Sequence, residues 1–167
     1  MTRRDLFGIA ATISVLILTT TTMNSSTPSS AIMITDMTCE HLRDPLGIDA
    51  TTPRMSWILS SAVRGQVQSA YHVLVASAPD LLEQGNGDLW NSGKVTSDRS
   101  ILVPYAGSAL RSGVKCYWKV RVWDREGKES AWSKTAAWSM GLLDQRDWKG
   151  AWIGSDDGID TAEVRRL

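Results

Sequence analysis

Short runs of alternating apolar and polar residues constrain this chain more than any other feature of its sequence. The clearest run spans residues 114–124. The apolar face of this run carries Cys116, Trp118, Val120 and Val122. The opposite face carries Tyr117, Lys119, Arg121 and Trp123, and its two cations mark it as the side nearer to solvent. A period of two residues is typical of a β-strand, and no stretch after residue 31 has the period of a helix of ordinary length. The sequence therefore predicts an all-β domain.

Further runs of the same kind are separated by turn residues. They cover residues 34–42, 54–59, 66–78, 88–95 and 100–105, with a short helical turn or loop at 80–87. Residues 125–128 form a turn sequence and 131–140 supply a partner strand, which makes 114–140 a hairpin. About seven short strands predict an antiparallel β-sandwich, in which two sheets share one core.

The first 31 residues have the composition of an export signal. Arg3 and Arg4 precede an apolar run, residues 6–18, that is shorter than the roughly 20 residues needed to span a bilayer. A Thr/Ser-rich stretch follows, and the small residues at 29–31 suit cleavage after Ala31. The basic start resembles a twin-arginine signal, and an ordinary general-secretion signal is the alternative. We therefore expect export to the periplasm or the extracellular space, with no stable membrane anchor in the mature form.

Charge and cysteine content argue against several classes of function. Lys+Arg and Asp+Glu are both 18, so the chain lacks the basic excess that nucleic-acid binding requires. Two cysteines cannot build a thiolate zinc site, and His41 and His72 are each alone in their strands. No phosphate loop and no Ser or Cys nucleophile signature is present. The sequence therefore predicts no catalytic, cofactor-binding or metal-binding residue, no cofactor and no nucleic-acid partner.

The acidic residues that could attract a catalytic interpretation have plainer explanations. Asp124 and Glu126 flank the hairpin turn, where aspartate is favoured because it bonds nearby backbone N–H groups. Asp156, Asp157 and Asp160 lie in a Gly- and Ser-containing tail typical of a solvated linker.

Eight tryptophans against one phenylalanine indicate either an aromatic core or a sugar-stacking surface. Trp57 and Trp118 fall on predicted core faces. Trp123 shares its face with two cations, so it is the candidate for exposure and for stacking on a sugar. The remaining five are assigned by position: Trp90, Trp132 and Trp138 stay ambiguous, and Trp148 and Trp152 are expected to pack against a further domain.

Motifs along the chain carry a resemblance to known proteins. Residues 110–130, with Gly113, Trp118 and Asp124, resemble the last hairpin of a fibronectin type III domain, and Trp57 resembles the core tryptophan of that fold. Six stretches in order resemble the N-terminal region of bacterial α-L-rhamnosidases of glycoside hydrolase family 78. They are residues 39–42, 45–49 with 53–57, 64–66 with 68–71, 87–95, 117–124, and 147–149 with 152–154.

The resemblance implies an enzyme much longer than this chain, with further β-domains and a helical barrel that carries the active site. After the export signal predicted at 1–31, it implies a fibronectin type III or immunoglobulin-like sandwich at 32–143 and a linker with the start of a second β-domain at 144–167. The implied function is that of an accessory domain in an enzyme that hydrolyses terminal α-L-rhamnosides with inversion. Its implied partners are the remaining domains of the parent and, for the parent, rhamnose-containing glycans. The alternative is a non-catalytic carbohydrate-binding or adhesion module.

Cys116 departs from the fibronectin pattern, which usually has a tyrosine there that plugs the corner of the sandwich. A bridge from Cys39 to Cys116 is disfavoured, because sheets pack about 10 Å apart and a disulfide needs a Cα separation of about 4.4–6.8 Å. We therefore expect a buried free thiol. The pattern also predicts that Cys116→Tyr stabilises the domain by about 1 kcal/mol, the net value of one hydrogen bond.

Overall fold

Two antiparallel β-sheets, packed face to face, make up the part of the chain that the computed structural model describes, residues 30–150. In chain order the elements are β1 (Ile32–Cys39), β2 (Arg54–Ser61), β3 (Ala70–Ala76), α1 (Pro79–Glu83), β4 (Trp90–Asn91), β5 (Val95–Thr96), β6 (Val103–Pro104), β7 (Lys115–Trp123), β8 (Ala136–Ser139) and a 3₁₀ turn (Gln145–Asp147). The first sheet has the order β1-β2-β6. The second has the order β4-β3-β7-β8, and β5 also pairs with β3. The predicted all-β sandwich is confirmed.

The core lies between the inward faces of β2, β3 and β7. The face predicted for β7 is confirmed, since Cys116, Trp118, Val120 and Val122 are all fully buried. Trp57 of β2 meets Tyr71 of β3 edge to face, with ring centroids 5.4 Å apart, and so joins the two sheets. Burying a large apolar side chain contributes about 1.5–3 kcal/mol, so this shared core is the main source of stability.

β3 is buried on both faces because a short helix covers its outer side. Leu74 and Ala76 point away from the sandwich and pack against Leu82 of α1. Pro79 stands at the start of this helix, where its fixed φ suits the first turn. The helical turn predicted at 80–87 is therefore confirmed in kind, and it closes a small second core.

Some strands are shorter than the alternation predicts. The run at 88–95 forms two separate two-residue strands because Gly93, at φ +59°, turns the chain between them. The run at 34–42 ends as a strand at Cys39, since Glu40 and His41 adopt φ values of +47° and +68°. Alternation alone does not reveal such turns.

The outer edge of β8 is covered by residues 44–48. The carboxylate of Asp44 accepts the N–H of Ala137 at 2.7 Å, and the carbonyl of Pro45 accepts the N–H of Ser139 at 3.0 Å. An uncovered strand edge is a template for pairing with another chain, so this loop protects the sheet against edge-to-edge association.

Both cysteines are buried free thiols, as predicted. Burial raises the pKa of the Cys39 thiol to about 12 and that of Cys116 to about 11, so both are protonated at neutral pH.

A tyrosine elsewhere in the chain fills this part of the core. The hydroxyl of Tyr105 lies 2.8 Å from the carbonyl of Ser108 and 3.0 Å from that of Leu89. Its ring packs edge to face on Trp138, whose backbone pairs with Cys116. Cys116 itself is fully buried. The structure therefore predicts that Cys116→Tyr overpacks the core, where the sequence pattern predicts stabilisation.

Within residues 30–150, no helix has the length and apolarity to cross a membrane. The predicted export signal lies almost wholly outside the described residues, as does most of the 144–167 segment, and both stay predictions together with the domain boundaries.

Candidate functional site

The outer surface of the second sheet carries a row of alternating cations and aromatic rings, which we call the aromatic–cationic face. It is formed by Lys94, Lys119, Arg121, Trp123 and Trp132. Three of these residues belong to β7, where residues two apart point to the same side of the sheet.

Two serines hold Trp132 against β7. Ser130 donates its N–H to the carbonyl of Val122 at 2.8 Å, and its hydroxyl accepts the N–H of Val122 at 3.1 Å. Ser133 makes the same pair of bonds with Val120, at 2.8 and 3.0 Å. The segment before β8 therefore satisfies the backbone of β7 through hydroxyl groups in place of a regular ladder, and Trp132 between the serines projects over the sheet.

Arg121 lies at the centre of this face. Its Cζ is 5.2 Å from the ring centroid of Trp123 and 4.7 Å from that of Trp132. Lys94 Nζ lies 4.4 Å from the Trp123 centroid and Lys119 Nζ 4.8 Å from that of Trp132. Each such contact is worth about 0.5–1 kcal/mol at an exposed site and more where the groups are desolvated. The row is therefore a stabilising stack in its own right.

The charges of the face are largely satisfied within the chain. Arg121 pairs with Glu129 at 3.1 Å, and its Nε, which has no hydrogen-bond acceptor, is buried beside the aromatic rings. Lys119 donates to the carbonyl of Leu82 in α1, and burial lowers its pKa. These cations hold the loops and the helix to the sheet.

Trp123 is buried, with 7% of its surface exposed, so its predicted exposure is wrong. Lys94 lies in the turn between β4 and β5, and its side chain covers the indole of Trp123, which belongs to β7. Stacking on a sugar needs an uncovered ring, so a sugar would have to displace Lys94. The sugar-stacking role itself stays a prediction.

The other tryptophans divide between core and surface. Trp57 and Trp118 pack in the core as predicted, and Trp138 joins them at 1% exposed. Trp90 and Trp132 are half-buried. Trp148 is exposed at 54%, and Trp152 lies outside the described residues.

The histidines do not meet other metal ligands. His72 Nε2 lies 2.7 Å from Asn91 Oδ1, and burial lowers the His72 pKa, so the ring is neutral at pH 7. His41 stands in the turn after β1. Among residues 30–150, no group of three or more His, Cys, Asp or Glu residues is placed to hold a metal ion.

Asp124 has a structural role in the hairpin turn. It is 1% exposed, and its Oδ1 accepts the N–H groups of Lys128 at 2.9 Å and Glu126 at 3.0 Å. Burial by itself raises the Asp124 pKa, but the bonds from Lys128, Ser30 and Glu126 outweigh it and hold the pKa below its ordinary value. The carboxylate is therefore ionised, and it stabilises the turn by accepting these backbone N–H groups.

Two further carboxylates line a cleft of about 320 Å³ between β1 and the approach to β8. Asp36 is paired with Arg43, and Asp44 bonds the backbone of Ala137. An inverting glycosidase needs one protonated acid and one free base about 6.5–9.5 Å apart, with water between them. Both carboxylates are committed to other partners, so this cleft does not offer that pair.

Gln68 is a buried residue to which the sequence assigned no role. It is 3% exposed, and its Oε1 accepts Trp57 Nε1–H at 3.0 Å. Its Nε2 donates to the carbonyls of Ser97 and Arg99 at 3.0 and 2.9 Å. Gln68 thus connects the core tryptophan with the loop before β6.

Comparison with known proteins provides evidence that this geometry alone does not. Residues 34–144 match the family described as Rha78A-like, N-terminal immunoglobulin domain. The crystal structure of the Streptomyces avermitilis α-L-rhamnosidase complexed with L-rhamnose is 45% identical with a TM-score of 0.71, over 75% of this chain and 12% of that chain. The α-L-rhamnosidase of Dictyoglumus thermophilum is 34% identical with a TM-score of 0.70, over 74% and 14%. A Formosa agariphila α-L-rhamnosidase is 43% identical over 123 residues, 73% of this chain and 13% of the relative. The chain thus spans about an eighth of the length of these relatives.

Proposed function

The chain belongs to the Rha78A-like N-terminal immunoglobulin domain family, and from this premise we propose that it serves as the accessory domain of a larger α-L-rhamnosidase. The parent enzyme would hydrolyse terminal α-L-rhamnosides with inversion, acting on rhamnose-containing glycans. The observation that carries the proposal is the match over residues 34–144, combined with relatives of which the matched part makes up only about an eighth.

The geometry supports a non-catalytic role for the described residues. The carboxylates of Asp36, Asp44 and Asp124 are each bonded to a guanidinium or to backbone N–H groups. These three carboxylates are therefore engaged in bonds that hold the domain together. We assign the chemistry of the parent to a part of the enzyme outside residues 30–150.

A first experiment tests the absence of catalysis. The purified chain, incubated with p-nitrophenyl α-L-rhamnoside, should release no nitrophenol above the buffer rate. Turnover that disappears when an acidic residue of this chain is replaced would contradict the proposal.

A second experiment tests the accessory role directly. Residues 30–150 replace the matching segment of the Streptomyces avermitilis enzyme, and this chimera is compared with the enzyme that lacks the segment. We expect the chimera to fold and to hydrolyse the rhamnoside, with higher thermal stability than the deletion. A chimera no more stable or active than the deletion would count against an accessory role.

Carbohydrate binding through Trp123 is the alternative, and the position of Lys94 over the indole gives it less support. The discriminating measurement is binding of the chain to a glycan array, with Trp123→Ala as the test variant. Binding that Trp123→Ala abolishes would favour the binding module over the accessory role.

A further inference from the structure

The chain leaves the sandwich through residues 141–148, and one serine holds this segment in place. Ser112 Oγ accepts the N–H of Leu143 at 2.8 Å, and the same hydroxyl donates to the carboxylate of Asp147. We call these three residues the exit clamp. Because the clamp bonds the segment before and after the start of the 3₁₀ turn, it sets the direction in which the chain departs.

Two large apolar side chains lie exposed beside the exit clamp. Leu142 is 50% exposed and Trp148 is 54% exposed, and both line a cleft of about 400 Å³ with Asp144 and Gln145. We call Leu142 and Trp148 the exit patch. Exposed apolar residues are ordinary on protein surfaces, and Ile58 and Ile101 line another cleft in the same way. The exit patch is distinguished by its position, where the chain leaves the sandwich.

The acidic groups near the exit patch are already bonded within the chain. Arg146 Nη2 lies 2.7 Å from the carboxylate of Asp144, and Ser112 bonds that of Asp147. The ion pair holds the pKa of Asp144 below its ordinary value through the hydrogen bonds from Arg146. A protein surface that docks here therefore meets the apolar side chains of the exit patch and two carboxylates that are already bonded to Arg146 and Ser112. Such a site favours an apolar docking surface over a basic one.

Resting on the proposed function, we propose that the exit patch is the surface on which the next domain of the same polypeptide docks. The family is an N-terminal domain, and its match ends at residue 144, within the exit segment. About seven-eighths of each relative lies outside the matched region. A domain that follows the match would begin after residue 144, close in sequence to Leu142, and a short tether raises the effective concentration of a partner to the millimolar range. An apolar patch at the point of tethering is therefore the surface that the following domain meets first.

The test compares the full 167-residue chain with the chimera described above. Leu142→Asp and Trp148→Ala are made in both, and Ile101→Asp serves as the matched control because Ile101 is similarly exposed, at 65%, on a different surface. We expect Leu142→Asp and Ile101→Asp to leave the unfolding midpoint of the chain alone unchanged, and the midpoint of Trp148→Ala in the chain alone serves as the reference for that variant. In the chimera, Leu142→Asp and Trp148→Ala should each lower the midpoint of the grafted domain by about 4 °C or more, and Ile101→Asp should not.

A labelling experiment provides a second readout that does not depend on activity. Gln145→Cys places a thiol in the cleft of the exit patch. We expect a maleimide to react with it at least tenfold more slowly in the chimera than in the chain alone, and Leu142→Asp to restore the faster rate.

The outcomes separate the two proposals. A chimera that folds and hydrolyses the rhamnoside but is insensitive to Leu142→Asp, with Gln145→Cys labelled at the rate of the chain alone, would overturn the docking surface and leave the accessory role intact. Sensitivity to Ile101→Asp in its place would overturn it too, by moving the interface to the first sheet. A chimera that does not fold would count against the accessory role itself, and the docking surface falls with it.

Discussion

Gln68 should be a costly residue to replace, because it makes three hydrogen bonds inside the sandwich. Gln68→Met keeps the length of the side chain and deletes its three hydrogen bonds, to Trp57 Nε1 and to the carbonyls of Ser97 and Arg99. A buried hydrogen bond contributes about 1 kcal/mol net, and a buried group left without a partner costs about 1–3 kcal/mol. We expect the free energy of unfolding to fall by about 3 kcal/mol, a large part of the roughly 5–15 kcal/mol of a typical domain.

The chain offers a matched control two residues away. Gln66 is half-buried, and its Oε1 is buried without a hydrogen-bond partner. Gln66→Met therefore removes no bond made by that atom and takes an unpaired oxygen out of the interior, so it should not lower the free energy of unfolding. Both variants are measured by urea unfolding, followed by tryptophan fluorescence and circular dichroism, with the slope checked for two-state behaviour.

A double-mutant cycle isolates the bond in the core. Trp57→Phe removes the indole N–H, and combining it with Gln68→Met should give a coupling energy of about 1 kcal/mol. The reasoning is refuted if Gln68→Met costs no more than Gln66→Met, or if the two core substitutions are simply additive.

Three further predictions concern the thiols and the leader. Cys116→Tyr should destabilise the domain by about 1–3 kcal/mol through overpacking, and urea unfolding that shows equal or higher stability would contradict this. Because burial raises the pKa of Cys39 to about 12 from an ordinary 9.0, the unfolded chain loses this proton first, so stability should be constant below pH 9 and decline as the pH rises toward 12. Urea midpoints measured from pH 7 to 11 check the decline, which Cys39→Ala should reduce. Replacing Arg3 and Arg4 by lysines should block export if the twin-arginine route is used, whereas unchanged periplasmic yield would point to general secretion.

The inward face of β7 was predictable because it depends on one strand alone. Alternation places Trp118 and Val120 on the same side, and the side that lacks charges faces the core. The burial of Trp123 was not predictable by this argument. Its cover, Lys94, comes from a turn that Gly93 creates between β4 and β5, and a strand pattern contains no information about that turn.

The same limit explains why Gln68 had no predicted role. A polar residue is stable in a core only when its partners are in place, and those partners lie on β2 and on the loop before β6. Motif order was more informative about ancestry than about contacts. It predicted the relationship to α-L-rhamnosidases, which the match over residues 34–144 confirms. It did not indicate that the cations of the aromatic–cationic face bind rings and carboxylates of the same chain.

The loop that covers β8 can form its bonds only late in the synthesis of the domain. Asp44 and Ala137 are 93 residues apart in the chain, so the bond between them has to wait for the ribosome to complete the last strand. At about 5–20 residues per second, this delay is roughly 5–20 s. During that interval residues 44–48 have no strand to cover, and β1 and β2 can pair without the second sheet complete. The sandwich therefore closes only after β8 has been synthesised, and a chaperone that binds extended chain has those seconds in which to act.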